Sequence, residues 1–248
     1  MKKHIALLLI FGALTACGGG GGGGSTPTPP ADTGVDIDVR TFNFVYQGGT
    51  TSDIIVNAIY DKFQSGQSTT TLHSNAVYGG IVENIIVSAI KDTSGKLNVS
   101  FELRNANTDA LLAAEQESIS SDELEQLVFA VGDSTLTSPE YEVEVFDRPL
   151  DQPSATSAPL YVINLFGKED VNIFIDDALF QGALEAIELS NKYDVDLKSP
   201  LSKVSLEALN GTEIATCNVS NENFDDRQSL IIFAKNTSNS PACFITTY

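Results

Sequence analysis

Apolar and polar residues alternate along much of this chain with the two-residue period of a half-buried strand. "VDIDVRTFNFVY" (Val35–Tyr46), "SDIIVNAIY" (Ser52–Tyr60), "VENIIVSAI" (Val82–Ile90) and "KLNVSFELRN" (Lys96–Asn105) are alternating or β-branched, and each predicts a strand. Between them stand "QGGTTS", "QSGQSTTT" and "KDTSG", all of turn composition. Helical spacing is scarce. "SSDELEQL" (Ser120–Leu127) has acidic residues after a serine cap, but its counterpart later in the chain makes it a loop that leads into a strand.

That counterpart belongs to an internal repeat. "VSFELRNANTDALLA" from Val99 lines up with "VSLEALNGTEIATC" from Val204, and "DELEQLVFAVGD" (Asp122–Asp133) with "DDRQSLIIFAKN" (Asp225–Asn236). "YEVEVF" (Tyr141–Phe146) matches "CFITTY" (Cys243–Tyr248) as a closing strand, and "FNFVYQGGTTSDIIVNAIYD" from Phe42 matches "INLFGKEDVNIFIDD" from Ile163. Four matches in one order predict a duplication. "DRPLDQPSATSAP" (Asp147–Pro159) lies between the copies, and its prolines cannot donate ladder hydrogen bonds, so the sheets are expected to stop there. The expected fold is all-β: two tandem immunoglobulin-like β-sandwiches, residues 35–146 and 160–248, each of six or seven short strands. Ile173, Ile175, Val143 and Val145 are expected to face the gap between sheets; Asn172, Glu142 and Glu144 are expected to face water.

The motif order resembles a family of bacterial extracellular β-sandwich domains of unknown function, often found in tandem on lipoproteins and anchored surface proteins. The resemblance rests on "YVIN" (Tyr161–Asn164), an opening strand that ends in asparagine, followed by "DVNIFIDDA" (Asp170–Ala178) where the family has "DVxVYxDG". Asp177 stands where glycine normally closes the hairpin, and the first copy, "DIIVNAIYD", is looser. The resemblance implies a fold and a location, and it carries no chemistry to transfer.

The start of the chain has a different pattern. Lys2 and Lys3 precede "IALLLIFGAL" (Ile5–Leu14), an apolar run too short to span a bilayer and suited to a secretory signal. Leu14-Thr15-Ala16-Cys17 resembles the lipobox of bacterial lipoproteins. That resemblance implies removal of residues 1–16 and lipidation of Cys17 with diacylglyceryl and a further acyl chain such as palmitate. Two or three acyl chains suffice for stable anchoring. The alternative is an ordinary secreted protein in which Cys17 is incidental. Seven glycines, Gly18–Gly24, and "STPTPPADTG" then form a tether over residues 17–34, with a coil-like reach of ~25 Å. Gly18, standing where typical Gram-negative lipoproteins carry an aspartate for inner-membrane retention, implies the outer membrane.

Removal of residues 1–16 leaves 12 basic residues against 33 acidic ones, a net charge of −21. That charge repels phosphate backbones and excludes nucleic acid as a partner. Cys217 and Cys243, the cysteines left beside lipidated Cys17, form an even pair in an exported chain and predict a disulfide. The alternative, a metal pair, lacks further soft ligands, because the mature chain has a single histidine, His73.

Candidate chemistry is thin. A serine hydrolase would need His73 as base, with a nucleophile and an orienting acid in reach, and no G-x-S-x-G surrounds any serine. The pairs Asp36/Asp38, Asp176/Asp177 and Asp194/Asp196 offer oxygens for calcium, but none has the spacing of an EF-hand loop. Tyr46, Tyr60, Tyr78 and Tyr193 are the available sugar platforms in a chain without tryptophan. No cofactor, metal or catalytic residue is expected. The expected function is non-catalytic: a lipid-anchored envelope protein that displays its sandwiches for binding, adhesion or envelope structure, with a protein or glycan ligand. Loops Tyr46–Asp53 and Phe63–Ser74 are the expected contact sites. The rival class is an envelope-anchored hydrolase or carbohydrate-active protein.

Overall fold

The computed structural model describes residues 34–47, 53–62, 66–75, 77–138, 140–199, 201–224 and 227–247. Cys17, the expected signal peptide and the tether up to residue 33 lie outside these residues. The first half forms β1 (Val35–Tyr46), β2 (Ile54–Lys62), β3 (Gly66–Ser74), β4 (Ile81–Ala89), β5 (Leu97–Asn105), β6 (Leu111–Ile119), β7 (Glu125–Asp133) and β8 (Tyr141–Asp147). The second half forms β9 (Ser157–Asn164), β10 (Val171–Ile175), β11 (Ala178–Leu184), β12 (Tyr193–Asp196), β13 (Lys203–Ala208), β14 (Glu213–Asn218), β15 (Ser229–Lys235) and β16 (Pro241–Thr247). The fold is all-β, as the alternation predicts.

Two four-stranded sheets make each sandwich. Sheet β4-β1-β7-β8 packs on β3-β2-β5-β6 in the first, and sheet β12-β9-β15-β16 packs on β11-β10-β13-β14 in the second. Every strand of the first has its equivalent eight places later, including a central parallel pair, β1/β7 and β9/β15. Register agrees with the repeat. Phe42 pairs with Phe129 and its counterpart Ile163 with Ile232; Tyr60 pairs with Val99 and Ile175 with Val204. The closing strand differs by two residues. Ala130 pairs with Val143 and Phe233 with Cys243, so Cys243 corresponds to Val143 and not to Tyr141. A shift of two keeps every side chain on its face, which is why alternation alone does not reveal it.

Among the described residues eight strands form each sandwich, against six or seven expected. The additional strand of the first copy, β3, takes in most of "QSGQSTTT", expected to be a turn. Its Thr69, Thr70 and Thr71 are β-branched and pair along β2 at the sheet edge, where an outward polar face meets water. The segment 148–156 connects the sandwiches and is coil. β8 runs on to Asp147, and Pro159 lies inside β9, one residue before pairing with β15 begins at Leu160.

Among the described residues three apolar clusters form. One lies inside each sandwich, with Ile173, Ile175 and Val143 buried and Val145 partly buried, as the alternation predicts. The third lies between the sandwiches. Phe42, Phe44, Leu127 and Phe129 project from β1 and β7 onto Tyr161, Ile163, Leu230 and Ile232 of β9 and β15. The central parallel pairs are therefore buried on both faces, and four sheets stack in one body. Double burial gives these strands near-continuous apolar runs such as "SLIIFA" in place of alternation. At the seam's margin the Arg40 guanidinium donates to the Thr247 carbonyl (3.3 Å).

Candidate functional site

The two copies end their opening strands alike. Asn43 and Asn164 are both buried, and each side-chain oxygen accepts an N–H two residues on, from Val45 (3.0 Å) and Phe166 (3.0 Å). Each backbone carbonyl then clasps a turn that precedes the neighbouring strand, β4 in the first copy and β12 in the second. Asn43 accepts the Gly79 N–H (2.7 Å), and Asn164 accepts the Ile187 N–H (3.0 Å). Gly79 and Ile187 are thus equivalent, and both hold the left-handed backbone conformation, with φ of 74° and 58°. Glycine is required at the first position, because a Cβ there would lie 2.7 Å from the Phe244 ring. Isoleucine at the second is β-branched with positive φ, a strained combination that surrounding structure must enforce.

These two turns bound a cleft of about 200 Å³ at one end of the seam. Phe44, Tyr46, Tyr78 and Ile187 form its apolar wall. Phe44 meets Tyr78 edge-on (5.6 Å between centroids), as Tyr46 does (6.0 Å), and Phe244 of β16 packs against Phe44 from behind (5.1 Å). Charges from both sandwiches meet at the rim. Lys235, at the end of β15, donates to Asp133, at the end of β7 (2.8 Å), and Lys168 pairs with Glu140 and with Glu142 (3.4 Å). The Tyr46 hydroxyl donates to the Thr237 carbonyl (3.3 Å).

The electrostatics follow from this placement. Burial pushes the Tyr78 phenol far up, and the Asp133 carboxylate and Tyr46 add to it, so Tyr78 remains a hydrogen-bond donor across the physiological range. Burial pushes Asp133 up as well, but hydrogen bonds from Lys235 and Thr135 outweigh it and hold the carboxyl below its ordinary range. Lys168 is raised by its bonds to Glu140 and Glu142. The cleft thus holds fixed, ionised donors and acceptors beside an apolar wall.

The candidates expected from sequence fall in different places. Of the four tyrosines, the fold brings together Tyr46 and Tyr78, both nearly buried. Tyr60 is in the first core, its hydroxyl 2.9 Å from Thr70, and Tyr193 meets Phe180 edge-on (5.2 Å). His73 is 2% exposed on β3. A bulge opposite Val56 and Asn57 turns Leu72 and His73 inward together. Among the described residues neither ring nitrogen completes a hydrogen bond; burial lowers the imidazole pKa, and proximity to the Thr41 backbone only partly offsets it.

The aspartate pairs serve local structure. Asp36 accepts the Ser88 hydroxyl, and Asp196 accepts the Lys198 N–H (2.9 Å). Asp176 and Asp177, with φ of 47° and 68°, are the two loop residues between β10 and β11. That is a type I′ hairpin turn, whose geometry aspartate tolerates where glycine is usual. Asp176 also accepts the N–H groups of Ser202 and Lys203 (3.0 Å each), and Asp177 pairs with Lys203 (2.6 Å). Among the described residues no group of three or more His, Cys, Asp or Glu side chains gathers as a metal site.

Cys217 of β14 and Cys243 of β16 lie at disulfide distance, with Cα atoms 5.6 Å apart. They join the two sheets of the second sandwich at one edge. Of the expected contact loops, residues 48–52 and 63–65 lie outside the described residues, and residues 66–74 are strand.

Sequence reasoning missed Asp133, Lys235, Lys168, Glu140 and Ile187. The continuous apolar runs of β7, β9 and β15 were the available signal, since they mark strands covered on both faces and so a seam whose end is the cleft. No protein-family model matches the chain, and comparison with curated proteins finds no match.

Proposed function

We propose that this chain is a non-catalytic, lipid-anchored protein of the bacterial outer membrane, whose paired sandwiches present a binding cleft at the end of their seam. One observation carries the binding role. Apolar side chains fill the seam, yet at one end it opens around a strained Ile187 and charged groups drawn from both sandwiches. A seam serving cohesion alone would gain by closing that space with apolar side chains.

Two further observations support the reading. His73, the one imidazole left after signal removal, is enclosed in the first core, and among the described residues no nucleophile is hydrogen-bonded to it. The anchor rests on the basic start, the apolar run and Leu14–Cys17 in order. Cys17→Ser is expected to move the protein from the membrane fraction to the soluble fraction; unchanged fractionation refutes the anchor. Glycosidase and esterase substrates incubated with the mature protein are expected to show no turnover. Turnover lost on changing His73 overturns the non-catalytic assignment.

A further inference from the structure

We propose that the cleft receives one uncharged sugar ring, the terminal unit of a glycan. This assignment rests on the reading of the cleft as a binding site and adds the class of its ligand.

Size is the first argument. The cleft measures about 200 Å³ and opens to solvent, a space on the scale of one small ring and not of a long chain of units.

The second argument is charge. Rim carboxylates Asp133, Glu140 and Glu142 stand beside the ammonium groups of Lys235 and Lys168. An anionic ligand would meet the carboxylates, and a cationic one would displace lysines from partners they already hold. A hydroxyl both donates and accepts, so neighbouring hydroxyls on a ring can bond a carboxylate and an ammonium at once without disturbing either pair.

The third argument is the wall. Phe44, Tyr46, Tyr78 and Ile187 give a dry surface for the C–H face of a sugar ring. Tyr78 lines the same cleft, and among the described residues its hydroxyl makes no hydrogen bond to protein. The hydroxyl is not a buried unpaired atom, so it is open to solvent and to the acceptor of a ligand. The raised Tyr78 pKa keeps that donor protonated.

The test uses the mature full-length lipoprotein in detergent micelles. Saturation-transfer NMR is run with glucose, galactose, mannose and N-acetylglucosamine, and affinity is measured by titration calorimetry for those that respond. At least one neutral sugar is expected to bind with a Kd on the order of 1 mM, the strength a few buried hydroxyl contacts supply. Tyr78→Phe, which keeps the ring and removes the donor, is expected to weaken binding about tenfold, and Lys168→Ala about fivefold. Circular dichroism and Tm of both variants should match the parent. Silence from all four neutral sugars overturns the proposal, as does sugar binding that neither variant weakens. Preference for glucuronic acid or glucosamine sinks the neutral-sugar assignment while leaving the binding role standing. Hydrolysis of an offered glycan sinks the non-catalytic role instead.

Discussion

The two sandwiches share one strand order and close the same edge by opposite means. In the second, Cys217 and Cys243 join β14 to β16. Register places Glu117 of β6 and Val143 of β8 at the same two positions in the first, and the 26-residue separation is identical. Around Glu117 the first sandwich gathers Glu115, Glu144 and Asp147. Burial raises the pKa of Glu117, with Glu115 and Asp147 adding to it; burial likewise raises Glu144, with Glu142, Glu115 and Glu117 adding. One copy crosses its open edge with a covalent bond, the other with half-buried, mutually repelling carboxylates. The topology evidently needs neither device to form, because the central parallel pair and the core are common to both. The edge is where the copies were free to diverge.

The most disruptive change is expected at the seam the sandwiches share. Phe129 is fully buried and stacks on Phe42 (4.4 Å between centroids) against the second sandwich. Phe129→Ala is expected to cost ~3–5 kcal/mol and to split one calorimetric transition into two, since the coupling between copies is lost with it. A single transition at lower temperature would mean the sandwiches do not unfold separately even when the seam is damaged. Next in size is the covalent edge. Replacing both cysteines by alanine should cost the second sandwich ~3–4 kcal/mol in the chain-entropy model, read from urea midpoints. The reciprocal change sharpens the comparison. Glu117→Cys with Val143→Cys closes a loop of equal length and removes one repelling carboxylate, so thiol counting should find a bridge and the midpoint should rise. Two free thiols would show that the edges are not geometrically equivalent.

The fold was legible where burial is one-sided. Alternation in β2, β5 and β10 follows directly from one face on a core and one in water, and Tyr60/Val99 and Ile175/Val204 appeared as a repeat because both copies bury them. The seam was hidden for a physical reason. A strand covered on both faces loses its period, and "PLYVIN" or "QLVFAV" reads the same whether its second cover is a helix, a sheet or another copy. The cleft was less legible still. It is assembled from strand ends and turns, with Asp133 and Lys235 a hundred residues apart, and no local spacing encodes that meeting. The Cys217–Cys243 pair was legible because, with Cys17 and the signal peptide set aside, two cysteines and a single histidine offer few alternatives to a disulfide.

The acidic edge and His73 should give the first sandwich a pH dependence the second lacks. His73 has a folded pKa below its unfolded value of 6.5, so the unfolded chain takes the proton first. Stability is full above pH 6.5 and declines as pH falls through the folded pKa, with a slope of at most ~1.4 kcal/mol per pH unit. Glu117 and Glu144 run the other way. Their raised folded pKa values favour protonation in the native state, so their contribution grows as pH falls towards the ordinary carboxylate value of 4.5. Both are partly solvated, and that gain is a few tenths of a kcal/mol. Between pH 7.5 and 5.5 a net loss is therefore expected, and His73→Leu should flatten it. A loss of equal size in His73→Leu would place its origin elsewhere.

The finest distinction lies at the equivalent turns. At an ordinary exposed strand position glycine is less stable than alanine by ~0.5–1 kcal/mol, because it frees the unfolded chain. At Ile187 the order should reverse. Alanine there keeps a Cβ in the left-handed region, at a cost of ~1–2 kcal/mol, and forfeits the apolar contact of the isoleucine side chain. Glycine forfeits the same contact but relieves the strain, as Gly79 does in the first copy. Ile187→Gly should therefore sit within ~1 kcal/mol of the parent and above Ile187→Ala, a difference readable in paired urea titrations with equal m-values. If alanine is the more stable of the two by the usual margin, the backbone at 187 has left the positive-φ region. The parent isoleucine is then held at positive φ by its side chain in the cleft wall, whereas Gly79 holds the same conformation through glycine's own backbone freedom.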